Sequence, residues 1–149
     1  MSALRDMAGA TIDAYVAAVA AKDVDAFMRL YDPAVRVFDT WSVWSYEGAD
    51  AWRKMIAEWF SSLGSGHVTV SFEEVRSQVA GAFTIVTAFV GYCGRSAENV
   101  VLHSMQNRMS WVLREIEDGA RIIHEHTSVP VDFGNAKGIL LREQSTGRV

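Results

Sequence analysis

At 149 residues, 50% hydrophobic and 21% charged, the chain is long enough to bury roughly two-thirds of its unfolded surface and too apolar to stay disordered. A formal net charge of -4 argues against a polyanionic partner, so no nucleic acid is expected. The single cysteine, Cys93, cannot form an internal disulfide, and no apolar run approaches the ~20 residues that span a bilayer; a cytoplasmic protein without membrane contact is expected.

Leu4, Ala8, Ile12, Tyr15, Val16 and Val19 recur at three- and four-residue steps, which predicts an amphipathic helix over 2–21 with Tyr15 facing inward. Arg5, Asp6 and Asp13 interrupt the apolar core that a signal peptide would need. Asp23 is placed to cap a second, short helix with Ala26, Phe27, Leu30 and Tyr31 on its inner face, and Asp32-Pro33 ends it. Residues 35–39 alternate as a strand, with Val35, Val37 and Asp39 on one side. A third helix opens at Gly48 or Asp50, buries Trp52, Met55, Ile56, Trp59, Phe60 and Leu63 along one side, and stops at Gly64-Ser65-Gly66.

From His67 the period becomes two, predicting consecutive antiparallel strands over 67–78, 83–92, 99–114 and 121–131 with turns at Ala80-Gly81, Gly94-Arg95-Ser96 and Asp118-Gly119. Ile122 beside His124 and Ile123 beside Glu125 make the last strand mixed on both faces, which suits a sheet covered by helices on one side and a partner subunit on the other. The layout is α+β: a cone-shaped curved antiparallel sheet wrapped around N-terminal helices, with a small-molecule pocket at its mouth. No repeat or linker divides the chain, so 1–149 is read as one domain, with 135–149 as a C-terminal tail in which Ser145 to Val149 is expected to be disordered.

The stretch 31–47, YDPAVRVFDTWSVWSYE, carries the clearest chemical signal, because its strand delivers a carboxylate, Asp39, beside Trp41, Trp44 and Tyr46. An ionised carboxylate there must be paired, hydrogen-bonded or protonated. Asp39 is therefore either a general base with a raised pKa or half of an ion pair with Arg36, Arg53 or Arg108. Trp41 and Trp44 suggest an aromatic lid that seeks burial, whereas Trp52 and Trp59 at helical spacing suit the core, Trp59 also serving as a pocket wall. Arg108 shares a strand face with Ser104, Gln106 and Ser110. That row either lines the pocket, with Arg108 holding a carboxylate, or faces solvent while His103, Met105, Met109 and Trp111 face inward. His124 and His126 lie on one side of a strand, but HEH on a strand is not the helical zinc motif and no third ligand is convincingly spaced, so no metal is assigned.

Four stretches, AYVAAVAAKDVDAFMRLYDPAVRVFD, YEGADAWRKMIAEWF, NRMSWVLREIEDG and RIIHEHTSVP, resemble the SnoaL-like and ketosteroid-isomerase-like branch of the nuclear-transport-factor-2-like superfamily, of cystatin-like fold. The closing stretch is also similar to the kinase II association domain. The resemblance places the isomerase's general base on Asp39 and its oxyanion-binding tyrosine on Tyr15, a pairing that general accounts of pKa tuning use as an example. It sets Glu125 and Thr127 toward the pocket and turns His124 and His126 outward to a dimer interface. The isomerase's second acid has no counterpart in Arg108-Met109-Ser110-Trp111. The implied function is a cofactor-independent isomerase, dehydratase or cyclase acting on a small apolar or polycyclic molecule, as a homodimer or higher homo-oligomer through the sheet face. The alternative is a non-enzymatic ligand-binding or association module, since this fold hosts both.

Overall fold

The structure, a computed structural model, describes residues 2–142 and the side chains from Met7 onward. In chain order it runs α1 (Ser2–Ala21), α2 (Val24–Met28), β1 (Tyr31–Phe38), β2 (Tyr46–Glu47), α3 (Ala49–Ser62), β3 (His67–Ala80), β4 (Phe83–Arg95), β5 (Val101–Ile116) and β6 (Gly119–Ser128). The six strands form one sheet in the order β2-β1-β6-β5-β4-β3.

The helices follow their patterns. Ala8, Tyr15, Ala18 and Val19 of α1 are buried, together with Thr11, whose hydroxyl donates to the Met7 carbonyl at 2.8 Å. The side chain of Leu4 lies outside the described residues. The Asp23 carboxylate accepts the Ala26 N–H at 3.0 Å and caps α2, an arrangement that contributes about 1 kcal/mol in comparable helices. On α3, capped by Gly48, Trp52, Ile56 and Phe60 are buried on one side.

Two expectations are corrected. Tyr31 is not on α2 but opens β1, which therefore runs through Asp32-Pro33. Proline has no N–H for the ladder, and the pairing with β6 shifts register between Tyr31 and Arg36. The Asp32 carboxylate steadies the irregularity by accepting the Ala34 N–H at 2.9 Å and pairing with Arg114. The sheet is also mixed rather than wholly antiparallel, because β1 lies parallel to β6. Turn residues announce hairpins between neighbouring strands; nothing local announces a pair that closes the sheet from its far end.

β3 to β6 form the expected meander, and its irregularities shape it. A register shift between Glu73 and Arg76, with Glu74 at φ 51, bends β3. In β6, Val112 faces His124 and Leu113 faces Ile122, so Ile123 is an extra residue in a bulge. The bulge resets the alternation: Ile122 is buried before it, and Glu125 and Thr127 are buried after it. This explains why the strand reads as mixed on both faces.

After β6 the chain turns back. Val131 bridges Gly138, Gln106 N–H donates to the Leu140 carbonyl at 2.7 Å, and the Arg142 guanidinium lies 4.0 Å from the Phe89 ring centroid and pairs with Glu74 at 2.6 Å. Residues 135–142 are thus tied to the outer face of the sheet, and Ser145 to Val149 lie outside the described residues. Among the described residues, no helix is long and apolar enough to cross a membrane.

Candidate functional site

β1 ends where the site begins. Val35 and Val37 are buried, and the next inward position beyond the strand is Asp39. Phe38 pairs with His126, which brings Asp39 beside Thr127 of β6. The Thr127 hydroxyl donates to Asp39 Oδ1 at 3.1 Å, and the Trp41 N–H donates to Oδ2 at 3.4 Å. Thr127 Oγ1 itself accepts from the Thr40 N–H at 2.9 Å and the Thr40 hydroxyl at 3.0 Å. Burial raises the Asp39 pKa, and these hydrogen bonds only partly offset it.

None of the arginines that sequence offers as structural partners pairs with Asp39. Arg36 holds Glu47 at 2.9 Å, Arg53 holds Asp25, and Arg108 Nε donates to Ser128 Oγ at 3.0 Å. Asp39 opens instead onto a cleft of about 680 Å³ whose lining includes Phe38, Thr40, Val43, Trp44, His126 and Thr127.

Deeper in the cone lies a second carboxyl group, Glu125, 1% exposed. Its Oε1 accepts the Tyr31 hydroxyl at 2.5 Å and Trp111 Nε1–H at 2.9 Å. Burial pushes its pKa up to about 7, against the pull of the two hydrogen bonds and with the added push of the Asp39 charge. Beside it the Tyr15 and Tyr92 hydroxyls are 2.9 Å apart. The Tyr15 ring packs against Phe27 at 5.0 Å and Trp111 at 5.6 Å between centroids, and burial raises its pKa well above the ordinary tyrosine value.

The structure separates the remaining sequence candidates. Arg108 and Ser110 are exposed on the outer face of β5, a correction to their expected place in the pocket; Asn107, Met109, Trp111 and Leu113 face the helices instead. Covering two helices takes the large apolar row, which leaves the polar row to solvent. The aromatic lid is corrected too. Trp44 is 96% exposed and Trp41 50%, so the connecting segment does not bury its rings, although Trp44 lines the cleft and Trp41 contributes its N–H to Asp39. Trp59 is half-buried, its ring 6.1 Å from that of Tyr92.

His124 and His126 point outward with Phe38 edge-on to both rings at 5.1 and 5.4 Å, and His124 Nδ1 lies 2.7 Å from the Arg36 carbonyl oxygen. No group of three metal-ligating side chains occurs among the described residues. Two interior residues escape the sequence pattern, and a third, Tyr31, is expected inside but on a helix rather than at the start of β1. Asn107 is hidden by the undecided facing of β5. Tyr92 could have been found, because Thr84, Val86, Ala88, Val90 and Tyr92 alternate without a break.

The model of the SnoaL-like domain family matches residues 9–132. The chain belongs to the SnoaL-like family. A search of curated proteins finds no match. Among solved structures, an NTF2-like protein of unknown function from Pseudomonas putida KT2440 is 16% identical with a TM-score of 0.80, over 94% of this chain and 96% of that one. A candidate dehydratase of the NTF2-like family from Streptomyces avermitilis is 16% identical with a TM-score of 0.72, over 85% and 96%. A candidate calcium/calmodulin-dependent protein kinase II association domain from Xanthomonas campestris is 16% identical with a TM-score of 0.65, over 81% and 84%. These likenesses establish the fold of the SnoaL-like chain. Its interior chemistry rests on its own residues: a carboxylate at the cleft, a second carboxyl group behind it, and a pair of tyrosine hydroxyls.

Proposed function

We propose that this SnoaL-like protein binds a small, mostly apolar carbonyl compound and moves a proton on it, with Asp39 as the base. The observation that carries this reading is the setting of Asp39: buried enough to raise its proton affinity, unpaired by any of its nearby arginines, and open to a cleft. Removal of a proton next to a carbonyl leaves negative charge on the carbonyl oxygen, and the Tyr15 and Tyr92 hydroxyl pair is the donor proposed for it. Isomerisation, dehydration and aldol-type cyclisation share this first step, and the step uses side chains alone. Trp44 and Thr127 are assigned to the cleft wall, Trp59 to the wall beside Tyr92, and Trp41 to holding Asp39 through its N–H. Glu125 is assigned as a proton reservoir behind the base.

The test is hydrogen exchange at carbon. In D2O, the protein should catalyse entry of deuterium next to the carbonyl of aryl and alicyclic ketones, read by proton NMR, faster than buffer of the same pH. Buffer rates across the whole ketone series would refute the reading.

One observation favours a homo-oligomer alongside the chemistry. Phe83 and Ile85, alternate residues at the start of β4, form an apolar row 42% and 44% exposed on the outer face of the sheet. A second copy burying this row is proposed to form the dimer, as befits an association-type use of the fold. Light scattering at micromolar concentration should give at least twice the 16.5 kDa chain mass; monomer alone would contradict it. The whole chain is taken as one domain. A reducing cytoplasmic setting suits a chain whose only cysteine, Cys93, has no partner for an internal disulfide.

A further inference from the structure

We infer that a second cleft, at the opposite end of the sheet from Asp39, binds a small phosphate monoester with an apolar body, its phosphate held between Arg29 and Arg121. This site stands apart from the reaction proposed for Asp39.

The cleft has a volume of about 470 Å³, within the range of ~300–1,000 Å³ that small-molecule sites occupy. Tyr31 and Arg121, near the starts of β1 and β6, line it, whereas Phe38 and Thr127, toward the far ends of the same two strands, line the Asp39 cleft. β1 and β6 run parallel, so the two clefts are separated by the length of β1, roughly 20 Å. They are distinct sites.

Three arginines reach this cleft from three elements: Arg29 from the C-cap of α2, Arg53 from α3 and Arg121 from β6. Like charges gathered in one place repel each other and gain from an anion set between them. Arg53 already has one, since it pairs with Asp25. Arg36, Arg114 and Arg142 likewise hold carboxylates elsewhere, but Arg29 and Arg121 have no ion pair and no side-chain hydrogen bond among the described residues. The other lining acid, Asp50 in the first turn of α3, pairs with neither of them. The cleft is therefore locally positive on a chain of net charge -4. Two unpaired guanidinium groups match the two charges of a phosphate monoester, and their planar forks suit its oxygens.

The floor sets the rest of the ligand. Met28 and Tyr31 are 8% and 3% exposed, whereas the three arginines are exposed, so an apolar base lies under a charged rim. A ring or short alkyl body would cover that base; a bare inorganic ion would leave it wet.

The test is titration of the full chain with phenyl phosphate, followed by amide NMR shifts, with inorganic phosphate, benzoate and benzyl alcohol as comparison probes. Phenyl phosphate should saturate at millimolar concentration or below, moving the amides of Arg29, Ala49 and Arg121 and not those of Thr40 and Trp44 at the Asp39 cleft. It should bind more tightly than inorganic phosphate or benzoate, and benzyl alcohol should move none of these amides. Arg29→Gln and Arg121→Gln should each weaken it about threefold and together about tenfold, the worth of exposed charge pairs that add. Asp50→Asn, which removes a repulsion, should tighten it about twofold. Unchanged affinity in the double arginine variant, with a wild-type thermal melt, overturns the site, as does saturation at Thr40 and Trp44 instead. If the double variant unfolds, Asp50→Asn carries the charge test, and unchanged or weaker binding there overturns the site. Benzoate or inorganic phosphate binding as tightly as phenyl phosphate overturns the phosphate-monoester class. Sedimentation with phosphatidylcholine vesicles containing phosphatidic acid, while phenyl phosphate moves nothing, overturns the small-molecule reading in favour of a lipid surface.

Discussion

Raising the pH from about 5 to about 8 is expected to cost the folded protein about 3 kcal/mol, an order-of-magnitude figure from moving one carboxyl pKa up by between two and three units. The group is Glu125, shifted from 4.5 to about 7 by burial between Tyr31 and Trp111. Because the folded pKa is raised, the folded state keeps its proton where the unfolded chain has lost it. The stabilisation is complete below about pH 4.5, falls as pH rises through about 7, and is flat above. Asp39, also raised, acts in the same direction, whereas the lowered pKa of the exposed Glu47 matters only on the acid side of this window. Urea midpoints measured across the range should fall with pH, and Glu125→Gln, which keeps an oxygen for Tyr31 and Trp111, should remove most of the slope. A wild-type midpoint that climbs with pH would contradict the placement of Glu125 as a carboxyl group without a cationic partner.

That buried acid alters how the site compares with its resemblance. Sequence indicates a base without a second acid, since β5 offers no carboxyl residue at the corresponding place. A carboxyl from β6 lies there instead: Glu125, which the resemblance turns toward the pocket, is buried, and the bulge at Ile123 brings it inward by resetting the strand's alternation. No propensity or period announces such a bulge; its only trace is a strand that looks mixed on both faces. The α1 and α3 stripes, the hairpin turns and the α+β class were legible because they are local patterns. The parallel pairing of β1 with β6 was not, because it joins Arg36 to His124 across most of the chain. The facing of β5 was undecidable in isolation, since both of its rows hold plausible inward residues and only the helices' need for Met109, Trp111 and Leu113 decides between them. The exposure of Trp44 defeated the expectation that large rings seek cover, as loop positions can.

The second large effect concerns Asp39. Asparagine is nearly the same shape, and its single amide oxygen keeps one of the two hydrogen bonds that Asp39 accepts on separate oxygens, from Thr127 on Oδ1 and the Trp41 N–H on Oδ2, so Asp39→Asn should fold with a modest loss of stability and still bind a ketone. It cannot take a proton at neutral pH. Loss of a positioned general base typically removes a factor of about 100 or more from turnover. Thr127→Val is the milder counterpart: it deletes a hydrogen bond that stabilises the ionised carboxylate, so the Asp39 pKa should rise further and the pH at which exchange becomes fast should move upward.

The proton-transfer claim is tested most directly by measuring, in one NMR series, the rate at which deuterium enters a bound ketone with wild-type protein and with Asp39→Asn. Wild-type exchange above buffer, reduced about 100-fold or more in the variant with ketone affinity retained, is the predicted result. Equal exchange rates in the two proteins would contradict it and remove Asp39 from the chemistry.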